Sequence, residues 1–321
     1  MARKKGGGGG RQRARQRQQY DELDKYPVMP PHAFARIVRD KQTLNIIYQI
    51  IEPPLTKKEQ EQRDEIMDIF IRSLTANIEE IDSNPEAYVR TAMDKVIKSY
   101  SMKINKKSKS KLFYYLRRDL IGYGKMDVLM NDVNVEDISL DGTNVPIFAY
   151  HRKFESVETT CVWETDEELE SYVIKLAQRC GKHISVAEPL LDATLMDGSR
   201  IVMKLGHEIS TRGSAFCIRR FKDDPFSPAD IVAFRTMSSL MVAYLWIAFQ
   251  NEVPMLFVGG TASGKTTTLN AMCIFIPWQM KIVSIESTRE VNIPQPNWVP
   301  GLTRQGFGGE SDEGVIGEFE L

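Results

Sequence analysis

The stretch "FVGGTASGKTTTLN", Phe257–Asn270, decides the fold of the C-terminal part of this chain. Gly259 is followed after four residues by Gly264, Lys265 and Thr266, which is the spacing of a phosphate-binding loop. The apolar run "MLFV" before the loop predicts a strand, and "TTTLNAMCIF" after it predicts a helix. The sequence therefore predicts a P-loop, in which a strand, a glycine-rich turn and a helix together bind a nucleotide.

The loop and the first helical turn are the expected phosphate contacts. They comprise Gly259, Gly260, Thr261, Ala262, Ser263, Gly264, Lys265, Thr266 and Thr267. Glycines let the backbone approach the phosphates, so that N–H groups and the helix N-terminus point at the negative charge. Lys265 is expected to reach the β and γ phosphates, and Thr266 to bind magnesium. ATP and Mg²⁺ are therefore the expected cofactors; the alternative is a glycine turn that carries a lysine by chance.

A carboxylate is expected near the same site. The apolar strand in "KIVSIESTRE" ends at Glu286, and the carboxyl ends of parallel strands face the ligand crevice of open sheets. Glu286 is therefore a candidate catalytic residue beside Lys265, placed to position water or magnesium. The pattern alone leaves a second interpretation open, in which Glu286 is a capping or surface carboxylate at a strand end.

The composition of the 321 residues is that of a globular protein, with 42% hydrophobic and 26% charged residues and a formal net charge of -1. The longest apolar run, "LMVAYLWIAF", is about half the ~20 residues that a membrane-spanning helix needs. The four cysteines form no C-x-x-C pair and the four histidines have no ligand spacing, so no zinc site is expected. These features predict a cytoplasmic protein.

Changes in composition divide the chain into four predicted parts. Residues 1–25 are expected to be a disordered basic tail, because the first eighteen carry seven Lys or Arg and no acid. Residues 26–125 are expected to be mostly helical, and residues 126–222 to form an α+β subdomain. Residues 223–321 carry the P-loop.

Local signals place several elements within these parts. Thr56 and Glu59 form a capping box at the start of a first helix, and a second helix is expected to bury a face that includes Tyr100. The segment "NKKSKSK", residues 105–111, predicts a charged break before a third helix, "LFYYLRRDL". The segment "VEDISLDGTNVPIFAY" predicts a β-hairpin around an Asp-Gly pair.

Several spaced motifs together resemble one protein family. They are "RDLIGYGKMDVLMND", "EDISLDG", "DGSRI", "IRRF", "GGTASGKTTTLNA" and "IVSIESTRE", in that order. The set resembles the archaeal secretion-type ATPases that drive assembly of type IV pili and the archaellum, over about Tyr26 to Leu321. Bacterial type II secretion and conjugative transfer ATPases are related to this family more distantly.

The resemblance implies an α/β fold class, with an α+β N-terminal domain followed by a RecA-like P-loop domain that is incomplete here. It implies a homo-oligomer, a hexameric ring at the inner face of the cell membrane, bound to a polytopic platform protein. It also implies that N-terminal arginines reach the phosphates, namely Arg200 in "DGSR" and Arg219 or Arg220 in "CIRRF". The glutamate of the family's acidic box corresponds to Glu286.

Two departures from the family pattern bear on catalysis. The acidic box usually has Glu-Asp, whereas Ser287 stands in the second place, which removes a carboxylate from the magnesium shell. The chain ends at "GVIGEFEL", before the strand that carries the Walker B carboxylates in the family. The expectation is a C-terminally truncated domain that binds ATP and hydrolyses it poorly or not at all.

Two other functions fit the same residues. The first is a non-catalytic truncated subunit that joins rings or membrane partners. The second is a conjugation-type DNA-transfer ATPase whose Arg-rich tail contacts DNA, with steep salt dependence. The aromatic residues of "LFYYLRRDL" have the helical spacing of core residues, so they are not expected to stack on bases. Nucleic acid is accordingly not an expected partner.

Overall fold

A computed structural model gives the fold, and it describes residues 19–73, 84–208, 210–220, 225–260, 263–286 and 290–302. The contacts between Cα atoms divide the chain into two compact units. The first unit contains the chain up to Leu191 together with Val202–Arg219. The second contains Asp192–Ile201 and the chain from Arg220 onward. The division near residue 220 lies close to the predicted boundary at residue 223.

A nine-stranded sheet is the largest feature of the fold, and its spatial order is β1-β2-β3-β6-β5-β4-β9-β8-β7. The strands are β1 Tyr20–Met29, β2 Ala33–Asp40, β3 Ile46–Ile51, β4 Val135–Leu140, β5 Pro146–His151, β6 Glu155–Val162, β7 Leu190–Thr194, β8 Arg200–Lys204 and β9 Ala215–Arg219. Strand β3 pairs with β6 in parallel, with Ile47 opposite Glu158. This pairing joins the region predicted as mostly helical to the following α+β region, so the two share one sheet.

Strand β1 starts earlier than the sequence predicts. Tyr20–Lys25, which fall within the expected disordered tail of residues 1–25, pair antiparallel with β2. The pairing with β2 satisfies the backbone groups of this charged stretch, and a count of its charges gives no sign of such a partner strand. The rest of that predicted tail, residues 1–18, lies outside the described residues.

Three helices form a bundle between β3 and β4: α1 Lys57–Ser73, α2 Pro85–Ser99 and α3 Lys106–Leu120. Their facing side chains make one core, which consists of Ile66, Phe70, Val89, Met93, Val96, Leu112 and Leu116. The predicted capping box of α1 is confirmed, since Glu59 Oε2 accepts from Thr56 N at 2.8 Å and Thr56 Oγ1 accepts from Glu59 N at 3.3 Å. These local signals therefore set the helix start, and burial of the apolar face holds the bundle together.

Two predictions in the bundle are corrected. The predicted break at residues 105–111 forms the first turns of α3, because Asn105 Oδ1 accepts from Ser108 N at 2.8 Å and caps the helix. Ser108 is buried there and donates to Glu59 Oε1 at 2.7 Å, which joins the starts of α3 and α1. Tyr100, expected on the buried face of α2, follows the helix as its C-cap and is 59% exposed.

Short helices complete the first unit. A 3₁₀ turn at Gly124–Met126 leads into α4, Asp127–Asn131, and α5 spans Asp166–Arg179 after β6. The predicted hairpin is confirmed as the antiparallel pair of β4 and β5. In its turn, Gly142 has φ +123°, and a Cβ there would lie 2.3 Å from the carbonyl oxygen of Arg212. Only glycine fits this close approach of two backbones.

A buried polar cluster links four elements of this unit. The carboxylate of Asp132, 1% exposed, accepts from Tyr26 Oη at 2.6 Å and from Tyr48 Oη at 2.7 Å. His151 Nδ1 accepts from Lys153 N at 3.1 Å, which leaves Nε2 as the protonated nitrogen that faces Tyr26 Oη at 2.9 Å. Each group thus has one consistent role, and burial lowers the pKa of His151.

The second unit holds the P-loop helix. Its elements after residue 220 are α6 Pro228–Ala233, α7 Ser239–Gln250, α8 Lys265–Cys273, β10 Ile282–Glu286 and β11 Trp298–Leu302. Strands β10 and β11 pair in parallel. Buried residues of α6, α7 and α8 pack together, namely Ile231, Val242, Ala271 and Met272. In the described part of the chain, no helix has the length and apolar character needed to cross a bilayer.

One predicted strand is not observed. Met255–Val258, predicted as the strand that enters the P-loop, pairs with no strand in the described part of the chain. The side chains of Leu256 and Val258 are 87% and 79% exposed. A strand requires a hydrogen-bonded neighbour as well as an apolar sequence, and the described residues supply none here.

The α/β class itself is confirmed by the large sheet and the packed helices.

Candidate nucleotide site

Two glycines give the P-loop its backbone path. Gly264 has φ +84°, a left-handed conformation that turns the chain directly into α8. A Cβ on Gly259 would lie 2.4 Å from Ser263 Oγ, so a side chain there would displace the Ser263 hydroxyl from its hydrogen bond to the carbonyl oxygen of Gly260. The left-handed conformation favours glycine at position 264, and the close approach of Ser263 favours it at position 259.

Polar side chains close the loop on itself. Lys265 Nζ donates to the carbonyl oxygen of Gly260 at 2.7 Å, and Ser263 Oγ donates to the same oxygen at 2.8 Å. The amine of Lys265 thus lies against the backbone of the loop. Thr261 and Ala262, the remaining predicted loop contacts, lie outside the described residues.

The first turn of α8 is free of competing groups. Its N-cap is Gly264, so no side chain caps the helix, and the first turn has no acidic residue. Thr266 and Thr267 stand in this turn, with Thr266 half-buried and Thr267 exposed. The uncapped N–H groups and the positive end of the helix dipole attract an anion, and the hydroxyl of Thr266 is an oxygen ligand of the kind magnesium prefers.

Glu286 ends β10 as predicted, and it has a structural role as well. Its Oε1 accepts from the backbone N–H groups of Glu290 at 3.1 Å and Val291 at 2.9 Å. Its Oε2 is buried and has no hydrogen-bond partner among the described residues. A buried carboxylate oxygen without a donor is costly unless a cation or water reaches it. Glu286 thus has the structural role of the second interpretation, since Oε1 accepts from two backbone N–H groups, and its catalytic role stays a prediction.

The segment after β10 is fixed to the P-loop helix by residues that sequence reasoning missed. Asn270 Oδ1 on α8 accepts from Asn292 N at 3.0 Å. Gln295, 3% exposed, donates from Nε2 to the carbonyl oxygens of Cys273 at 3.1 Å and Ile276 at 3.0 Å. These hydrogen bonds attach the segment that follows Glu286 to the helix that begins with Lys265.

Arg200 lies in the same unit as Lys265. Its guanidinium donates to Asp192 from Nε at 3.2 Å and from Nη2 at 2.5 Å. The hydrogen bonds that Arg200 donates to Asp192 raise the pKa of Arg200, and the negative charge of Glu290 contributes in the same direction. Arg200 is therefore close enough to the segment after Glu286 to interact with it electrostatically.

The other two predicted arginines fall on either side of the division between the units. Arg219 ends β9 in the first unit, where its Nε donates to Asp137 Oδ1 at 3.3 Å with a side chain that is 65% exposed. Arg220 is assigned to the second unit. Since β9 ends at Arg219, the alternation of side chains along a strand does not extend to Arg220, and which of the two contacts a nucleotide stays a prediction. Ser287, the departure from the acidic box, lies outside the described residues.

Comparisons with known proteins give the family of this fold and site. Residues 156–304 match the model of the type II/IV secretion system protein family. The uncharacterized protein MJ0900 of Methanocaldococcus jannaschii is 34% identical over 285 residues, which cover 88% of this chain and 50% of that protein. The type IV secretion system protein VirB11 of Bartonella henselae is 27% identical, covering 37% of this chain and 42% of its own length.

A solved structure shows a weaker likeness. The ATPase DotB of Legionella pneumophila has a TM-score of 0.36 and 17% identity, over 56% of this chain and 51% of that chain. The chain spans about half the length of the curated relatives named here. The resemblance drawn from the motifs is confirmed at the level of the family: residues 156–304, a little less than half of the chain, match the type II/IV secretion system protein family.

Proposed function

We propose that the chain binds Mg-ATP through its P-loop and is the nucleotide-binding part of a secretion-type motor ATPase that assembles type IV pilus-like or archaellum filaments. The observation that carries this proposal is the loop itself. Gly264 enters α8 at φ +84°, Gly259 lies in close contact with the Ser263 side chain, and Lys265 Nζ donates to the carbonyl oxygen of Gly260 in the loop. This combination places a cation and free N–H groups at one helix N-terminus, as phosphate binding requires.

The residues present fit nucleotide and magnesium. Lys265 would contact the phosphates and Thr266 would supply a hydroxyl to the metal, with Glu286 Oε2 as the nearby unpartnered carboxylate oxygen of the same unit. When bound, the metal would neutralise phosphate charge. Arg200 supports the site through its interaction with Glu290, and Arg219 or Arg220 would supply a second guanidinium.

Weak hydrolysis is part of the proposal. Glu286 Oε1 accepts hydrogen bonds from the backbone N–H groups of Glu290 and Val291, and Ser287 stands where the family pattern has an aspartate. Only Oε2 of Glu286 would then be left to bind both water and the metal. We further propose that the working protein is a hexameric ring at the inner face of the membrane, in contact with a polytopic platform protein. A non-catalytic subunit of such a ring is the second candidate, which the same Ser287 favours.

Titration with a fluorescent ATP analogue and Mg²⁺ tests binding, with phosphate release followed in the same samples. Lys265→Ala removes the amine over the loop, and Lys281→Ala is the matched control, because Lys281 is exposed and precedes β10. We expect saturable binding in the wild-type and Lys281→Ala chains, at least tenfold weaker binding in Lys265→Ala, and phosphate release near background. Equal affinity of all three chains would refute nucleotide binding at the P-loop. Turnover that depends on Lys265 would refute only the proposal of weak hydrolysis.

A further inference from the structure

Unpaired lysines gather at one end of the three-helix bundle. Helix α2 ends at this point and α3 begins, and the hydrogen bond between Ser108 and Glu59 brings the start of α1 to the same end. Gln62 of α1 also donates to the carbonyl oxygen of Lys103 in the connecting turn at 3.5 Å. The six lysines here, which we call the lysine surface, are Lys57, Lys58, Lys98, Lys103, Lys106 and Lys107.

None of these six lysines forms an ion pair with any residue that the structure describes, and all six are exposed. Few acidic residues lie near these lysines, and two of them already bind other groups. Glu59 is 7% exposed and bound to Thr56, Ser108 and Lys111, and Asp94 pairs with Lys109 at 2.6 Å. Glu61 is the exposed acid of the first turns of α1. The lysine surface therefore carries a concentrated positive charge.

Helix stability does not account for this arrangement. Lys57 and Lys58 open α1, and Lys106 and Lys107 open α3, where the positive end of the helix dipole disfavours cations. The first turn of α3 has no acidic residue. Four lysines thus lie at helix N-termini, where their charges are repelled by the positive end of the helix dipole. A polyanion bound to these lysines would offset that repulsion.

We propose that the lysine surface docks the protein on a membrane that contains anionic lipids. Two observations favour a lipid surface over nucleic acid. The charges of the surface are all lysines, point charges suited to a diffuse headgroup layer, whereas Arg63, Arg117 and Arg118 of the same bundle are held by Asp64, Glu86 and Glu52. Tyr100, 59% exposed, follows Lys98 and precedes Lys103, and tyrosine favours the headgroup region.

This inference rests on the proposed function only for the position at the membrane, and its test uses no nucleotide, so the two proposals fail separately. The full 321-residue chain is sedimented with vesicles of phosphatidylglycerol and phosphatidylcholine, and with vesicles of phosphatidylcholine alone. The test variant is K103Q/K106Q/K107Q. The control variant is K25Q/K204Q/K281Q, which has the same net charge and changes exposed lysines elsewhere. Every chain keeps the basic first eighteen residues, so their contribution cancels.

We expect the wild-type and control chains to bind the anionic vesicles and not the neutral ones, with binding that falls as salt rises. At roughly fivefold per lysine, the test variant should lose roughly 100-fold in partition coefficient. Tyr100→Ser should also weaken binding. The melting temperature of the test variant should be unchanged or raised, because the substitutions remove repulsion at the start of α3.

Three results would overturn the proposal. Equal losses in the test and control variants would show that net charge alone acts, and unchanged binding of the test variant would show that another surface docks. Displacement of the wild-type chain from vesicles by duplex DNA, with DNA binding lost in the test variant, would assign the lysines to nucleic acid instead.

Discussion

The buried cluster at Asp132 supports a stability prediction that can be worked out from distances. Tyr48 is fully buried and donates from Oη to Asp132 Oδ2 at 2.7 Å. Burial raises the pKa of Tyr48 far above its usual range, so the hydroxyl stays protonated and keeps donating. Tyr48→Phe removes this donor without changing the packing of the ring, and leaves the buried carboxylate of Asp132 with one hydrogen bond fewer.

The expected cost follows from the charge of the acceptor and from the lack of water. A hydrogen bond to a charged group contributes about 2 kcal/mol, and no solvent reaches a fully buried position to replace it. For a unit of this size, about 2 kcal/mol lowers the melting temperature by roughly 4–8 °C. Tyr26→Phe is the matched control, because Tyr26 donates to the same oxygen at 2.6 Å but is only half-buried. Water can replace its hydroxyl, so we expect about 1 kcal/mol.

Thermal unfolding of the full chain measures both variants, and hydrogen exchange of peptides from β3 and α4 locates the effect in the first unit. The comparison of the two losses in melting temperature tests the argument from burial. If Tyr26→Phe lowers the melting temperature as much as or more than Tyr48→Phe, the argument from burial is refuted. If neither substitution changes the exchange of β3 or α4, Asp132 does not hold these elements together.

Two further predictions concern the same unit. Burial lowers the pKa of His151, so the unfolded chain binds a proton on this residue at a higher pH than the folded chain does. Stability should therefore fall as pH drops below about 6.5, and His151→Gln should reduce that slope in melting curves; His32, whose pKa is also lowered by burial, contributes in the same direction. Gly142→Ala should cost about 3 kcal/mol in urea unfolding, because its Cβ would meet the carbonyl oxygen of Arg212 at 2.3 Å in addition to the strain of φ +123°. Gly181→Ala, at φ +66° with open space around it, should cost only about 1 kcal/mol, and equal costs would mean that the turn at Gly142 yields without strain.

The candidate site was predictable from sequence where conformation is local. Glycine at a position with φ +84°, a lysine one residue later and a helix after it are all set by a few neighbouring residues, and the structure has them. The capping box at Thr56 and Glu59 is of the same kind. The partners of Glu286 were not predictable, because a carboxylate at a strand end does not show in the sequence which backbone N–H groups it accepts from.

The sequence by itself determined the start of α1, the P-loop turn, the β4–β5 hairpin and the family resemblance, because each depends on residues a few positions apart or on motifs in order. Tertiary structure decided the rest. The parallel pairing of β3 with β6 joins residues more than one hundred positions apart, and Met255–Val258 finds no strand partner in the described chain despite its apolar sequence. Strand pairing and burial depend on which distant segments meet, and that information is absent from any single stretch of the chain. The same reason explains Tyr100, whose helical spacing suggested the core while its place at the end of α2 leaves it among the lysines.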